Sequence, residues 1–430
     1  MPSSTTQFHG RRGQNVEDTS GLTNAHSDLE KQLLHSPAFR PRQLKPRAYD
    51  HLSEEPPTVD ACFSHLRLLE AFVILRDEVR GLAWSCHADQ DAGWEAFVRL
   101  AASRFNRWFA TAGDTVMQTS LPPLDVLMVW HSFMLRPHSY ADFCKTARPD
   151  GAGVHGIPWS LVHEAISVDS GKFVLSKSQT KHAALSNLPA DLLEPLKRED
   201  KTGIDIMDLM AAEYRRNEAR NSGLPTGFAP PLDLAAAVHR QMGFALKMTR
   251  FGWAHSPHSD SILQRAVARY RKFLSLFAVT GHAIVPTVDI DLVWHTHQLS
   301  PACYALFSHA VTMGRFINHN DSIEQGAIQT AFESTKRLYY DLFGEDYSIC
   351  NSWFCEATRF DRNGVLADTD LTALQSIVTR LNRRTRQLER SVVLDLAVCR
   401  CYETDTSSSR WGHEQELASC GDCGSHCSGS

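Results

Sequence analysis

Long apolar runs are missing from this chain. No window reaches the roughly 18 apolar residues that a membrane helix needs, and the opening stretch MPSSTTQFHGRRGQNVEDTSG lacks the apolar core of a secretory leader. The expectation is a soluble intracellular protein, cytoplasmic with the nucleus left open, and no membrane partner. One-sided charge is missing too: 44 basic and 49 acidic side chains leave a formal net charge of -5, without the basic excess of a dedicated nucleic-acid binder. There is no G-x-G-x-x-G, no phosphate loop, no H-E-x-x-H and no G-x-S-x-G, so the familiar enzyme signatures are absent, although a triad assembled only by the fold would escape such a search. Few stretches alternate apolar and polar residues, and no strand-helix-strand rhythm appears, which argues against a doubly wound sheet. Six of the 11 cysteines are scattered between Cys62 and Cys355, a spacing unlike a secreted disulfide framework.

What is present is helix. Hydrophobic residues make up 43% of 430, enough to fill a substantial core. Phe63, Leu66, Leu69, Val73 and Ile74 recur at helical spacing, as do Leu234, Val238, Ala245 and Met248. The expected fold is mainly α, with two pseudo-repeated helical units packed as one body. Residues 1–57 are polar and proline-punctuated and read as a disordered arm. The first unit is placed at 58–182, a polar Gly/Pro-closed connecting segment at 183–231, and the second unit at 232–365. An amphipathic helix follows at 366–398, with Leu374, Leu381 and Leu388 seven apart and Arg380, Arg383, Arg384, Arg386 and Arg390 on its other face. A Cys/Gly/Ser-rich tail closes the chain at 399–430.

Self-similarity carries the most information. PPLDVLMVWHSFMLRPHSYADF, residues 122–143, aligns without gaps on PTVDIDLVWHTHQLSPACYALF, residues 286–307, so that Pro122 matches Pro286. Asp125 matches Asp289, Trp130 and His131 match Trp294 and His295, and Tyr140 matches Tyr304. Upstream, SRFNRWF (103–109) resembles ARYRKFL (268–274). These shared positions have an architectural reading. Asp125 and Asp289 follow a proline turn and precede an apolar run, as helix N-caps do, and Ser300-Pro301 reads as the cap and first position of the next helix. VLMVWHSFML is apolar nearly all round, hence a buried element.

A proline turn, then D-x-x-x-V-W-H, then a proline and a tyrosine, in two copies, resembles the glycine-rich-domain-protein-like family, a plant and fungal domain of unknown function. DLAAAVHRQMGF is similar to that family's segment ahead of the second copy. The likeness covers roughly residues 60–350 and implies fold more than activity. Some plant relatives carry an RNA-recognition module, of which this chain has no signature. The first copy also departs from the pattern, with Phe133 where a second histidine would complete W-H-x-H.

Three groups are candidates for chemistry. Asp291 and His295, four apart, share a helix face and could hold a metal, whereas His295 and His297, two apart, project about 200° from each other. A composite site would bring His131 beside His295 and Asp291. Asp291 and His297 do not recur in the first copy, so any catalytic use of this segment is expected there. Asp289-Ile290-Asp291 also matches a sugar-nucleotide D-x-D, but at a helix start without a surrounding nucleotide fold. The third group is the tail: Cys399, Cys401, Cys420 and Cys423, with His426 and Cys427, have the C-x-C and C-x-x-C spacing of zinc ligands. The leading expectation is a non-enzymatic interaction or regulatory protein with a protein partner. Its rivals are a metal-assisted enzyme, of specialised metabolism, built on Asp291, His295, His297 and His131, and an RNA-interacting protein using Arg380 to Arg390.

Overall fold

A computed structural model describes residues 55–349, apart from 83–89, 149–154, 168–169, 186–190, 201–204, 225–229, 231, 257–258, 281–282 and 320–324. The expected Arg-rich helix at 366–398, the cysteine tail at 399–430 and all but the last residues of the N-terminal arm lie outside the described residues. Within them the chain is helical, with no strand and only an isolated bridge between Ile166 and Phe173. No helix among the described residues is long and apolar enough to cross a membrane.

Fourteen α-helices run in order through the described residues. They are α1 (Val59–Arg80), α2 (Gln90–Thr111), α3 (Asp114–Thr119), α4 (Leu124–Met134), α5 (Pro137–Ala147), α6 (Trp159–Ala165) and α7 (Lys177–Leu185). Then come α8 (Leu193–Asp200), α9 (Ile206–Asn221), α10 (Leu234–Phe251), α11 (Ser259–Val279), α12 (Val288–Gln298), α13 (Pro301–Val311) and α14 (Gln325–Phe343). The stretch expected to connect the units therefore carries α8 and α9. The polar sequence of α9 has a reason: it packs on α2 through few buried residues, Ile206, Met210 and Asn217.

Helix starts follow local chemistry. The Thr58 hydroxyl accepts from the Ala61 amide at 3.1 Å, and the Asp205 and Asp233 carboxylates accept from Met207 and Ala236. Pro137 and Pro301 open α5 and α13, where a missing N–H loses nothing. Gly252, at φ 63°, ends α10 in the left-handed region.

The core is one continuous cluster running from Ala61 to Tyr347. At its centre α1 packs on α10 and also meets α2, α6, α11 and α12, while α10 reaches back to α2 and α4. Every residue of α1 from Ala61 to Leu75 is buried. A helix enclosed on all sides must find internal partners for its polar groups. Arg67 and His255 therefore converge on the buried Glu70 carboxylate at 3.0 and 3.1 Å.

The coil before α6 touches the end of α12 at Gly156. The Ile157 amide donates to the Leu299 carbonyl at 2.9 Å, and a Cβ on Gly156 would sit 2.7 Å from that same oxygen. Backbone on both sides leaves nothing flexible to move. Gly156→Ala should therefore lower unfolding free energy by about 1–3 kcal/mol in urea titration, as overpacking does. Gly113→Ala, which meets nothing within 4 Å, should stay within about 0.5 kcal/mol of wild type.

Candidate functional site

The signature helices α4 and α12 are enclosed almost throughout. Pro123 and Thr287 occupy their N-cap positions, and neither supplies a side-chain cap bond. This corrects the capping reading of Asp125 and Asp289. Each carboxylate instead pairs with a buried arginine from the preceding long helix: Arg104 Nε lies 2.6 Å from Asp125 Oδ2, and Arg269 Nη1 lies 3.0 Å from Asp289 Oδ2. Those arginines occupy the same place in SRFNRWF and ARYRKFL. A second contact also occurs in both copies. Trp130 Nε1 donates to the Tyr140 hydroxyl at 3.0 Å, and Trp294 Nε1 to Tyr304 at 2.9 Å. The Tyr304 hydroxyl in turn donates to the Ile317 carbonyl at 2.9 Å. Burial drives both phenols far above their ordinary pKa, so they stay protonated.

His131 and His295 are placed differently. His131 Nε2 lies 2.9 Å from His65 Nε2, and His65 Nδ1 lies 2.8 Å from the Thr296 hydroxyl. The directions of these bonds follow from the far end. Thr296 donates to the Leu292 carbonyl at 2.7 Å, so its oxygen must accept from His65 Nδ1–H. His65 Nε2 then carries a lone pair and accepts from His131 Nε2–H. The line of donors runs from α4 through α1 to α12 and needs a neutral His65. Burial, and then the charges of His131 and His295, hold His65 well below its ordinary value; burial takes His131 down to about 3.

His295 belongs to a second group. Its Nε2 stands 3.3 Å from Asp291 Oδ1 and 3.2 Å from His319 Nε2, and His319 Nε2 is 4.0 Å from the same Asp291 oxygen. His319 Nδ1 donates to the Leu135 carbonyl at the end of α4, 3.1 Å away. All three side chains are buried, with Phe244 and Trp294 as aromatic walls at ring distances of 4.4 Å from His295 and 5.0 Å from His319.

His297 stays out of this group. Its Nδ1 meets the Tyr270 hydroxyl at 2.9 Å, and burial lowers its pKa to about 3. The equivalent positions in the first copy are Phe105 and Phe133, which meet edge-on at 6.1 Å. A hydrogen-bonded pair in one copy is thus an aromatic pair in the other, which accounts for the missing histidine in W-H-x-H.

Of the sequence candidates, then, Asp291 and His295 come together, His131 joins a neighbouring line, and His297 faces elsewhere. The cysteine set Cys399 to Cys427 lies outside the described residues. His65 and His319 had no sequence signal, being lone histidines brought in only by tertiary packing. Open clefts lie elsewhere. One of about 570 Å³ is lined by Glu95, Arg99, Tyr214, Glu218 and His239, and one of about 230 Å³ by Leu75, Phe97, Asp125 and Leu192 among others.

Residues 206–306 match the model of a family described as glycine-rich domain-containing protein-like. Among curated proteins, the chain is similar to Glycine-rich domain-containing protein 1 of Arabidopsis thaliana, at 29% identity over 54% of this chain and 26% of that protein. It is also similar to Glycine-rich domain-containing protein 2 of the same plant, at 30% identity over 55% of this chain and 27% of that protein. The chain thus spans about a quarter of the length of these relatives. No solved structure matches it.

Proposed function

We propose that this chain, which belongs to the glycine-rich domain-containing protein-like family, is a non-enzymatic interaction or regulatory protein whose paired D-x-x-x-V-W-H motif builds the body instead of a reaction centre. The observation that carries this is enclosure. His131, His295 and His297 are each 1% exposed and Asp291 8%, so a substrate of ordinary size has no approach to them. What supports it further is that the shared Asp, Trp and Tyr bond to the same kinds of internal partner in both copies. The partner in this reading is another protein.

The experiment asks for turnover directly. Purified full-length chain, with and without added zinc, is incubated with a small-molecule extract beside the Asp291→Asn and His295→Gln variants. The expected result is identical metabolite profiles for all three, while crosslinking in cells yields protein adducts. A compound consumed by wild type and spared by either variant would replace this reading with the metal-assisted enzyme.

A further inference from the structure

We propose that Asp291, His295 and His319 bind one divalent transition-metal ion of the zinc class, through Asp291 Oδ1, His295 Nε2 and His319 Nε2. The three atoms all lie within 4.8 Å of one another, at 3.2, 3.3 and 4.0 Å. A tetrahedral ion with bonds of about 2.0–2.1 Å holds its ligand atoms about 3.3 Å apart, so an ion between them asks for little movement.

Proton positions point the same way. The Leu135 carbonyl can only accept, so His319 Nδ1 must carry its hydrogen, and the neutral ring then presents a lone pair at Nε2. An imidazole held by a backbone carbonyl on its far nitrogen is the usual support of a metal-bound histidine. Asp291 offers a second lone pair. A hydrogen on His295 Nε2 can serve only one of these acceptors well, whereas a cation serves all three atoms at once.

Two imidazoles and one carboxylate suit zinc and its neighbours, with neither the thiolates that favour cuprous ion nor the all-oxygen shell that favours magnesium or calcium. The Asp291 and His319 side chains are 12% and 9% exposed against 1% for His295, so the ion enters and a water completes the shell on the carboxylate side. Bound there, the metal would clamp α12 to the segment after α13 and, through Leu135, to the end of α4. The first copy has Leu127 in place of Asp291. His155, at the same offset as His319, faces Asp114 and Gln118. The stoichiometry is therefore one ion per described body.

Cobalt(II) tests this in the full-length chain, because its spectrum separates the proposed site from the cysteine tail: thiolate ligation adds intense near-ultraviolet charge-transfer bands that nitrogen and oxygen ligands do not. Chelator-treated protein titrated with Co²⁺ should take up one equivalent with four-coordinate visible bands of the nitrogen and oxygen type, displaced by Zn²⁺. His319→Gln and Asp291→Asn, both close in shape to the native residues, should each weaken that uptake at least about 100-fold with unchanged far-ultraviolet circular dichroism. If one variant unfolds, the other decides. Thiolate-type bands alone, no uptake, or nitrogen-and-oxygen bands of equal affinity in a folded variant would reduce the group to a hydrogen-bonded triad and overturn the proposal.

Discussion

Replacing Arg104 with methionine should destabilise the protein by about 3–5 kcal/mol, and adding Asp125→Leu to it should restore most of that loss. The ion pair is enclosed, with side chains 1% and 4% exposed, and the guanidinium approaches both carboxylate oxygens, at 2.6 and 3.3 Å. Removing one partner strands the other charge away from water. Removing both leaves no stranded charge and puts an apolar side chain at position 125, where Leu75, Phe97 and Leu192 line the same cleft. The second copy should respond differently. Arg269 also donates to the Tyr347 carbonyl at 2.5 Å and the Thr287 hydroxyl at 3.2 Å, so Arg269→Met with Asp289→Leu leaves buried acceptors unmatched and stays destabilised. Urea unfolding of these three variants beside wild type measures both. Equal losses in the first-copy single and double variants would mean that the stranded charge is not the cause.

Acid should unfold this protein well above the range where its carboxylates titrate. His65 lies well below its ordinary value in the folded state, and His131 and His297 lie at about 3, against about 6.5 in the unfolded chain. The folded pKa values are depressed, so below pH 6.5 the unfolded chain binds protons that the native chain refuses. Stability is complete above pH 6.5 and falls as pH drops from there toward 3. Each imidazole contributes about 1.4 kcal/mol per pH unit, so His131 and His297 together remove about 4 kcal/mol by pH 5, with His65 acting in the same direction, a large fraction of the stability of an ordinary domain. Urea midpoints at pH 7.5, 6 and 5, taken in chelator so that metal loss plays no part, check this. His297→Phe with Tyr270→Phe, which installs the first copy's aromatic pair, should remove about a third of the slope. A midpoint that does not move between pH 7 and 5 would show that the rings are charged in the native state.

The parts of this architecture that were legible in sequence are those set by neighbours along the chain. An all-apolar run behind a proline gave α4 as a buried helix, Pro301 gave the start of α13, and four-residue spacing put Asp291 beside His295. The capping reading fails because an aspartate at a helix start looks the same whether its carboxylate accepts from backbone amides or from an arginine 20 or 21 residues upstream. The two arginines were visible in the aligned SRFNRWF and ARYRKFL segments, but nothing local linked them to the aspartates. His65 and His319 come from α1 and from the coil after α13, so only packing reveals them. Helix α9 was hidden for the opposite reason: it buries too few residues for its periodicity to rise above its charge.

The packing of α10 on α1 separates two quantities that usually coincide. Residues 206–306, which match the family model, include α9 to α12 and half of α13. They omit α1, on which α10 and α12 rest, and α4, whose final carbonyl holds His319. Excised at those limits, the segment would present the faces of α10 and α12 to water. The stretch by which such chains are recognised is thus smaller than the unit that folds, and a fragment meant to retain native structure has to begin before Val59 and run beyond Tyr347.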